Sequence, residues 1–436
     1  MRIAVIGAGI GGMAAAYDFN RAGHDVTIYE SADHVGGLAA GFKEPGWDWS
    51  VEYFYHHWFQ TDSDMLGWIE ELGWRDQVIF PRPKTVVYHN GGFYPLDSPL
   101  AALTFPGFTF FDMVRFGLVT VYLRYLASWR EMEKHHADAW MRRWYGERLY
   151  QTMFKPLLTG KFGPHFQEVN MAWMWARLKA RSTRLGTFTG GFQAFSDKVA
   201  DELRRRGVQI CLSTPVSHIR PAADGGVDLD TPNGREHFDQ ILATVSPGLL
   251  ARLAPDLPAD YLKGLLDLKS MGAVVLTLAL DHQLSEQGYY WFNLPKSAGY
   301  PFLALVEHTN FLKPEYFGGD HIVYLGDYLD PDHEYFRMSK EELVERFLPA
   351  LAKFNPKFRP EWIKGSWLYR TPYAQPIPLL NHSRNIPDVR TPLAGLYFAS
   401  MSQVYPWDRG TNFAVQIARR TARQMMEEGQ PTPTQR

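Results

Sequence analysis

Six residues near the start of the chain constrain its fold more than any others: Gly7-Ala8-Gly9-Ile10-Gly11-Gly12. They follow an apolar run, Arg2 to Ile6, that reads as a buried strand. They precede Met13 to Arg21, which reads as a helix ending near Gly23. A second strand is predicted over Asp25 to Tyr29, with Glu30 at its end. Each glycine has a task. Gly7 permits the tight turn out of the strand, Gly9 admits a pyrophosphate to the backbone, and Gly12 lets helix and sheet pack closely. The N–H groups at the helix start, Ile10 and Gly11 among them, and the helix dipole hold phosphate charge. Glu30 stands 18 residues after Gly12, placed to accept both ribose hydroxyls and to repel a 2′-phosphate. The ordered set of strand, turn, helix and acid is what makes the motif specific. The alternative is a glycine-rich turn in some other βαβ unit.

A second glycine pair follows in Glu30-Ser31-Ala32-Asp33-His34-Val35-Gly36-Gly37-Leu38. It lets the chain wrap the far side of a bound pyrophosphate. Fingerprint, acid and pair together resemble the opening segment of the glutathione-reductase-like flavoproteins. Within that group the pattern is similar to the amine oxidase, protoporphyrinogen oxidase and phytoene desaturase superfamily. The resemblance implies FAD as cofactor, with Ser31, Gly36, Gly37 and Leu38 along it. It continues at Gly190-Gly191-Phe192, Gly207-Val208-Gln209-Ile210 and Thr214-Pro215-Val216. In the family the residue at Val216 meets the adenine through its backbone. Gly395-Leu396-Tyr397-Phe398-Ala399-Ser400, with the helix from Asn412, resembles the closing flavin motif. That helix is expected to aim its N-terminus at the isoalloxazine ring. Here the sequence departs from the family. Ser400 stands where an acid is common, and 402–411 reads as an insertion. Ser400, Asp408, Arg409, Thr411 and Asn412 are the candidates for ring contacts, with Asp408 or Arg409 substituting for the usual acid.

The resemblance implies an α/β fold: a glutathione-reductase-like Rossmann FAD domain interleaved with a mixed-sheet plus helical substrate domain. The expected FAD domain comprises residues 1–80, 186–255 and 386–430. The expected substrate domain comprises 81–185 and 256–385, helical over about 98–185, and 431–436 form a tail. The chain of 436 residues is long enough for this arrangement.

Composition excludes several classes. Lys plus Arg number 45 against 47 Asp plus Glu, so charge gives no sign of a nucleic-acid partner. Cys211 is the only cysteine, so no internal disulfide and no cysteine metal cage can form. This fits a cytoplasmic protein. The apolar start could pass for a signal peptide, but it makes better sense as the nucleotide turn. Leu103 to Trp129 is rich in Phe, Leu, Val and Tyr, but Asp112, Arg115 and Arg124 interrupt it. It is too broken to span a membrane and is suited to peripheral membrane contact, or else to a buried helix pair.

The candidate catalytic residues are His56, His57 and Tyr373. The two histidines follow the FAD opening at the distance where family members bring a loop under the isoalloxazine. A histidine titrating near neutrality moves a proton or places a hydrogen bond there. The bland alternative is a histidine held in an aromatic wall. Neighbouring side chains in an extended segment diverge, so no metal site is expected. Tyr373 and Gln375 precede the closing motif, either lining the pocket or fixing a proline-bordered turn. In amine oxidases of the superfamily a lysine on a substrate-domain strand holds a water near the flavin. Ser270 to Thr277 looks like that strand, yet no lysine occurs from Ser270 to Leu280. This resembles the protoporphyrinogen oxidase and desaturase branches. Trp140 to Arg148 and Trp173, Trp175, Arg177, Lys179 and Arg181 mix aromatic with basic groups. They suit a partly apolar, acidic substrate, or a solvated helical face. Lys161 is expected in a loop that covers the site or merely turns at the surface.

The leading expectation is an FAD-dependent oxidoreductase of desaturase, dehydrogenase or oxidase type. It would exchange hydride equivalents with a large small-molecule substrate, and oxygen, a quinone or another carrier would reoxidise it. One alternative is an isomerase like UDP-galactopyranose mutase, with no net redox. Another is a binding protein like the prenyl-protein escorts. Oligomeric state is not legible.

Overall fold

The computed structural model describes residues 1–95, 101, 104–180, 182, 184–223 and 225–429. The first strand, Arg2–Ile6, is buried at every position after Arg2. It pairs in parallel with Asp25–Tyr29 on one side and Gln240–Ala243 on the other. Gln209–Cys211 and Leu396–Phe398 complete a five-stranded parallel sheet. Helices cover such a sheet on both faces, so its strands read as unbroken apolar runs. The first helix, Ile10–Arg21, and the closing helix, Thr411–Glu428, pack against each other here.

A second, seven-stranded sheet is mixed. Its order is Ile363–Pro376, Ser270–Leu280, His321–Leu329, Ala304–Glu307, Tyr289–Asn293, Lys84–His89 and Gly92–Pro95. Ser270–Leu280 is its long buried strand, with Leu276 opposite Leu325 on one neighbour and Leu368 on the other. Asn90-Gly91 makes the hairpin turn between Lys84–His89 and Gly92–Pro95, with both residues at positive φ, 46° and 87°. One alternative offered for this sheet needs correction. Tyr373 lies near the end of the strand Ile363–Pro376, not in a turn. That strand is an edge of the sheet and mostly half-buried, so its pattern lacks clean alternation. Just after Val216, His218–Pro221, Val227–Thr231 and Gly234–Phe238 form a three-stranded antiparallel meander.

The helical part includes Phe110–Val121, Ala137–Tyr145, Lys155–Phe162 and Ala172–Ala180. Trp140, Met141, Tyr145, Phe162 and Trp173 turn inward and pack with Met271 and Ala273 of the long strand. Arg142, Arg143 and Arg148 remain exposed, as on an ordinary solvated face. Arg181 lies outside the described residues. Lys161 is not in a loop; it belongs to the helix Lys155–Phe162. Among the described residues no helix is long and apolar enough to cross a membrane. The helix Phe110–Val121 and the turn after it nevertheless carry an exposed apolar face. Phe110 is 75% exposed, Phe111 81%, Leu118 69%, Tyr125 70% and Leu126 75%.

Candidate active site

The turn after the first strand leaves room only for glycine. A Cβ on Gly12 would lie 2.1 Å from the Gly7 carbonyl oxygen. Gly7 itself has φ +104°, and a Cβ there would lie 2.9 Å from Thr244 Oγ1. Over Gly9 the nearest atom to such a Cβ is Gly37 Cα at 4.0 Å, so the backbone faces a gap. No side chain caps the first helix. Its leading N–H groups are therefore available to an anion. Gly11 serves a different purpose. A Cβ there would lie 3.0 Å from Ala414 O, so its small size lets the closing helix approach.

The second glycine pair closes over the first. Gly36 N–H donates to Ala8 O at 2.9 Å, and a Cβ on Gly37 would lie 3.1 Å from Gly9 Cα. Leu38 is exposed at its edge. The Glu30 carboxylate accepts Ala8 N–H at 2.8 Å, Ala32 N–H at 2.9 Å and the Ser31 hydroxyl at 3.2 Å. Its remaining lone pairs suit ribose hydroxyls. The chain leading to Val216 runs beside it: Thr214 N–H donates to Glu30 O at 2.8 Å, and Ser213 N–H to Ala32 O at 2.7 Å.

One residue here escaped the sequence reading. Glu52 is buried, and its carboxylate accepts Phe192 N–H at 3.1 Å and the Tyr324 hydroxyl at 3.2 Å. It joins the loop before His56, the Gly190-Gly191-Phe192 segment and the second sheet. Burial pushes its carboxyl up to about 7. The only signal in sequence was an acid set in the aromatic stretch 47–59.

The closing helix also begins without a side-chain cap. Thr411 Oγ1 accepts the Trp58 indole N–H at 3.0 Å, and Asn412 Oδ1 accepts Met65 N–H at 3.0 Å. The Asn412 carbonyl is thus committed to the helix Ser63–Glu71. Ser400 sits farther back, capping a short turn over Met401–Gln403. The Tyr373 hydroxyl lies 3.5 Å from Ser400 Oγ and 2.8 Å from Ser402 Oγ, and accepts Ser402 N–H at 2.9 Å. Tyr373 pins this turn.

Aromatic rings of the segment before the helix Ser63–Glu71 pack against the second sheet. Tyr55 meets Trp291 edge-on at 4.9 Å, and His57 meets Phe59 at 5.3 Å. The neighbouring His56 faces Phe192 at 5.7 Å, so the two imidazoles diverge. Among the described residues no group of three or more His, Cys, Asp or Glu is placed to hold a metal. His56 Nδ1 bonds the Phe54 carbonyl, which makes Nδ1 the protonated nitrogen and leaves Nε2 as an acceptor. Burial, with Arg409 adding to it, pulls His56 down to about 4. His56 is therefore neutral near pH 7, which departs from the expectation of a histidine titrating there.

Asp408 and Arg409 line a cavity shared with Trp173, Gln375, Tyr405 and Trp407. Asp408 pairs with Arg177 at 3.1 Å and accepts Gln375 Nε2 at 3.2 Å. Despite burial, the cations Arg409, Arg177 and Lys161 hold its carboxyl well below the usual range. Arg177 is 9% exposed and lies over the Trp173 ring.

An uncapped helix after a glycine-only turn, a carboxylate bonded beside that turn and a second uncapped helix packed on the first make an arrangement suited to a flavin dinucleotide. The family model for flavin-containing amine oxidoreductases matches residues 10–426, and the chain belongs to that family. It is an FAD-dependent oxidoreductase. The 15-cis-phytoene desaturase of Synechococcus elongatus is 22% identical over 99% of this chain and 99% of its own length. A solved structure from Exiguobacterium sp., bearing a protoporphyrinogen oxidase designation, covers 98% of this chain and 99% of its own at TM-score 0.77 and 19% identity. Reduced UDP-galactopyranose mutase covers 99% of this chain and 96% of its own at TM-score 0.74 and 14% identity. Family membership answers the escort-like alternative: the chain is an enzyme.

Proposed function

We propose that this flavoenzyme exchanges hydride equivalents with a large, mainly apolar small molecule held between the closing helix and the second sheet. The observation that carries this reading is the aromatic surroundings of the segment before the closing helix: Trp173, Tyr405 and Trp407 line a cavity with Arg409, Arg409 lies over the Tyr328 ring, and Tyr55 meets Trp291 edge-on. Bound FAD supplies a two-electron acceptor. The cradle at Gly7, Gly9, Ile10, Gly11 and Gly12, with Glu30, Ser31, Gly36, Gly37, Leu38 and Val216, would hold its dinucleotide end. The start of the closing helix, with Thr411, would face the ring and stabilise negative charge there. Asn412, Ser400 and Tyr373 position that helix and the turn before it. His56, neutral and with Nε2 free to accept, suits orientation of a donor rather than proton release at neutral pH. The Ser270–Leu280 strand offers apolar side chains where amine oxidases place a lysine, which supports a desaturase or protoporphyrinogen-oxidase type of substrate over an amine. Oxygen, a quinone or another carrier takes the electrons.

Anaerobic mixing with porphyrinogens, carotenoid precursors, prenyl phosphates and nucleotide sugars tests this reading. A substrate should bleach the flavin in one turnover, and its product should be two electrons more oxidised. The mutase-like reading is favoured by the structural likeness alone. It requires turnover only with pre-reduced flavin and with equal oxidation state of substrate and product.

The exposed face at 110–126 supports peripheral membrane contact as a further part of the proposal. Arg124, Arg130 and Arg143 lie over Tyr125, Trp129 and Trp144 at its rim, at 6.0, 4.6 and 5.9 Å. Amphipathic aromatics flanked by arginines suit an anionic bilayer surface.

A further inference from the structure

Glu52 is a buried acid that the proposed chemistry does not use, and its two oxygens hold two different elements. Oε1 accepts Phe192 N–H at 3.1 Å, at the start of the helix Gly191–Arg205. Oε2 accepts the Tyr324 hydroxyl at 3.2 Å, on the strand His321–Leu329. The backbone around it is held as closely. Glu52 pairs with Gly41, just past the Gly36-Gly37 pair, and Tyr53 N–H donates to Ala40 O at 3.0 Å. Ser50 N–H and Ser50 Oγ both donate to Gly190 O, at 3.0 and 2.9 Å. A Cβ on Gly191 would lie 2.4 Å from Ser50 Oγ and 3.4 Å from Glu52 Oε1, so the helix start sits directly on these two residues.

The loop that leaves Glu52 is fixed from both sides. The Phe192 ring faces His56 at 5.7 Å and Trp58 at 4.7 Å. The Trp58 indole N–H reaches Thr411, at the start of the closing helix. On the other side Tyr55 lies on Gly326, where a Cβ would come within 2.8 Å of its ring. Tyr324 and Gly326 stand two residues apart on one strand and share a face. One surface therefore both grips Glu52 and seats Tyr55.

A carboxyl suits this post because it can bond both partners in either protonation state. The Tyr324 hydroxyl donates to a carboxylate and accepts from a carboxylic acid. Ionisation nevertheless changes the cost. Among the described residues Glu52 makes no ion pair, and burial pushes its carboxyl up to about 7. The titratable groups around it keep their state in this range. Burial pushes Tyr53, Tyr55, Tyr290 and Tyr324 up. It pulls His56 down to about 4 and His308, edge-on to the Tyr324 ring at 5.5 Å, down to about 3. Once ionised, the carboxyl regains water only if the loop opens.

We infer that Glu52 is a positioning residue for the flavin site: its two-sided grip sets where the loop at 53–58 stands and how tightly FAD is held. This rests on the reading that the loop lies beside the ring. Protonated Glu52 keeps the loop closed, and ionisation loosens it.

The test follows FAD release from the holoenzyme on dilution, by flavin fluorescence, together with the flavin absorption spectrum, from about pH 5.5 to 8.5. The wild-type dissociation constant should rise several-fold across that range. Glu52→Gln offers its oxygen to Phe192 and its NH2 to Tyr324, so it should hold FAD as the wild type does at low pH and show no rise. Glu52→Leu grips neither partner and should weaken FAD about tenfold or more at every pH, with a shifted flavin spectrum. Tyr324→Phe loses one grip and should fall between. Tm reports folding, and Tyr324→Phe carries the comparison if Glu52→Leu does not fold. A rise that persists in Glu52→Gln would overturn the inference, as would wild-type affinity and spectrum in Glu52→Leu or Tyr324→Phe. His56→Gln should keep the rise and alter the spectrum. An unaltered spectrum there would refute the place of His56 at the ring and leave the grip of Glu52 standing.

Discussion

Two regions of the molecule gather polar and charged groups, and they are built in opposite ways. The cradle at Gly7 to Gly12 uses backbone N–H groups and the absence of side chains. The cluster at Arg409, Arg177 and Lys161 uses charged side chains brought from separate segments. In the first, geometry is the active ingredient and any Cβ is an obstruction. In the second, charge is the active ingredient and the backbone only delivers it. Damage should therefore be all-or-none at the cradle and graded at the cluster.

The harshest test is Gly12→Ala. Its Cβ would meet the Gly7 carbonyl oxygen at 2.1 Å, backbone against backbone, so the turn must open. The purified variant should lack FAD, read as flavin absorbance per protein. If it retains full FAD, the cradle does not depend on this contact. Arg177→Met should keep FAD but lower Tm, since removing one partner of its largely buried pair with Asp408 costs roughly 2–5 kcal/mol. An unchanged Tm in that variant would erase the contrast between the sites.

Glu52 sharpens the comparison, because there a carboxyl is buried without a cation. Its folded-state carboxyl stands at about 7 against an ordinary 4.5, so the protonated form is favoured in the fold. The stabilising contribution is fully present below about pH 4.5 and fades as pH rises through 7. Glu52→Gln should remove up to about 3 kcal/mol of this pH-dependent loss, measured by denaturant unfolding from acid to neutral pH. Glu307, also raised to about 7 by burial, should leave a residual slope in the same direction. His56→Gln should slow turnover about tenfold while leaving the pH profile between about pH 6 and 9 in place, because the imidazole is already neutral there. A vanished limb in that profile would make His56 the titrating group. The mildest change is Phe111→Glu with Leu118→Glu. It should weaken binding to phosphatidylglycerol vesicles several-fold and leave the flavin spectrum unchanged. Equal sedimentation with vesicles would remove the membrane face from the proposal.

Sequence reading reached the nucleotide sheet because its determinants are local. Strand, glycine turn, helix and acid lie within about 30 consecutive residues. It missed the strand Ile363–Pro376 because an edge strand that is half-buried along its length leaves little periodicity. It placed Lys161 in a loop because Gly160 and Gly163 read as breakers. In the fold, a Cβ on Gly160 would lie 2.4 Å from Leu303 Cδ1, so that glycine serves packing within a helix.

By itself, the sequence determined the dinucleotide turn, the family and the absence of disulfide chemistry, since each depends on residue identity or short-range spacing. Tertiary structure alone decided which basic residues are exposed and which are paired inside. Arg142, Arg143, Arg148 and Arg177 occur in similar Trp-rich surroundings, yet only Arg177 meets Asp408 inside the protein. Charge acts over distances in space, and distances along the chain do not report them.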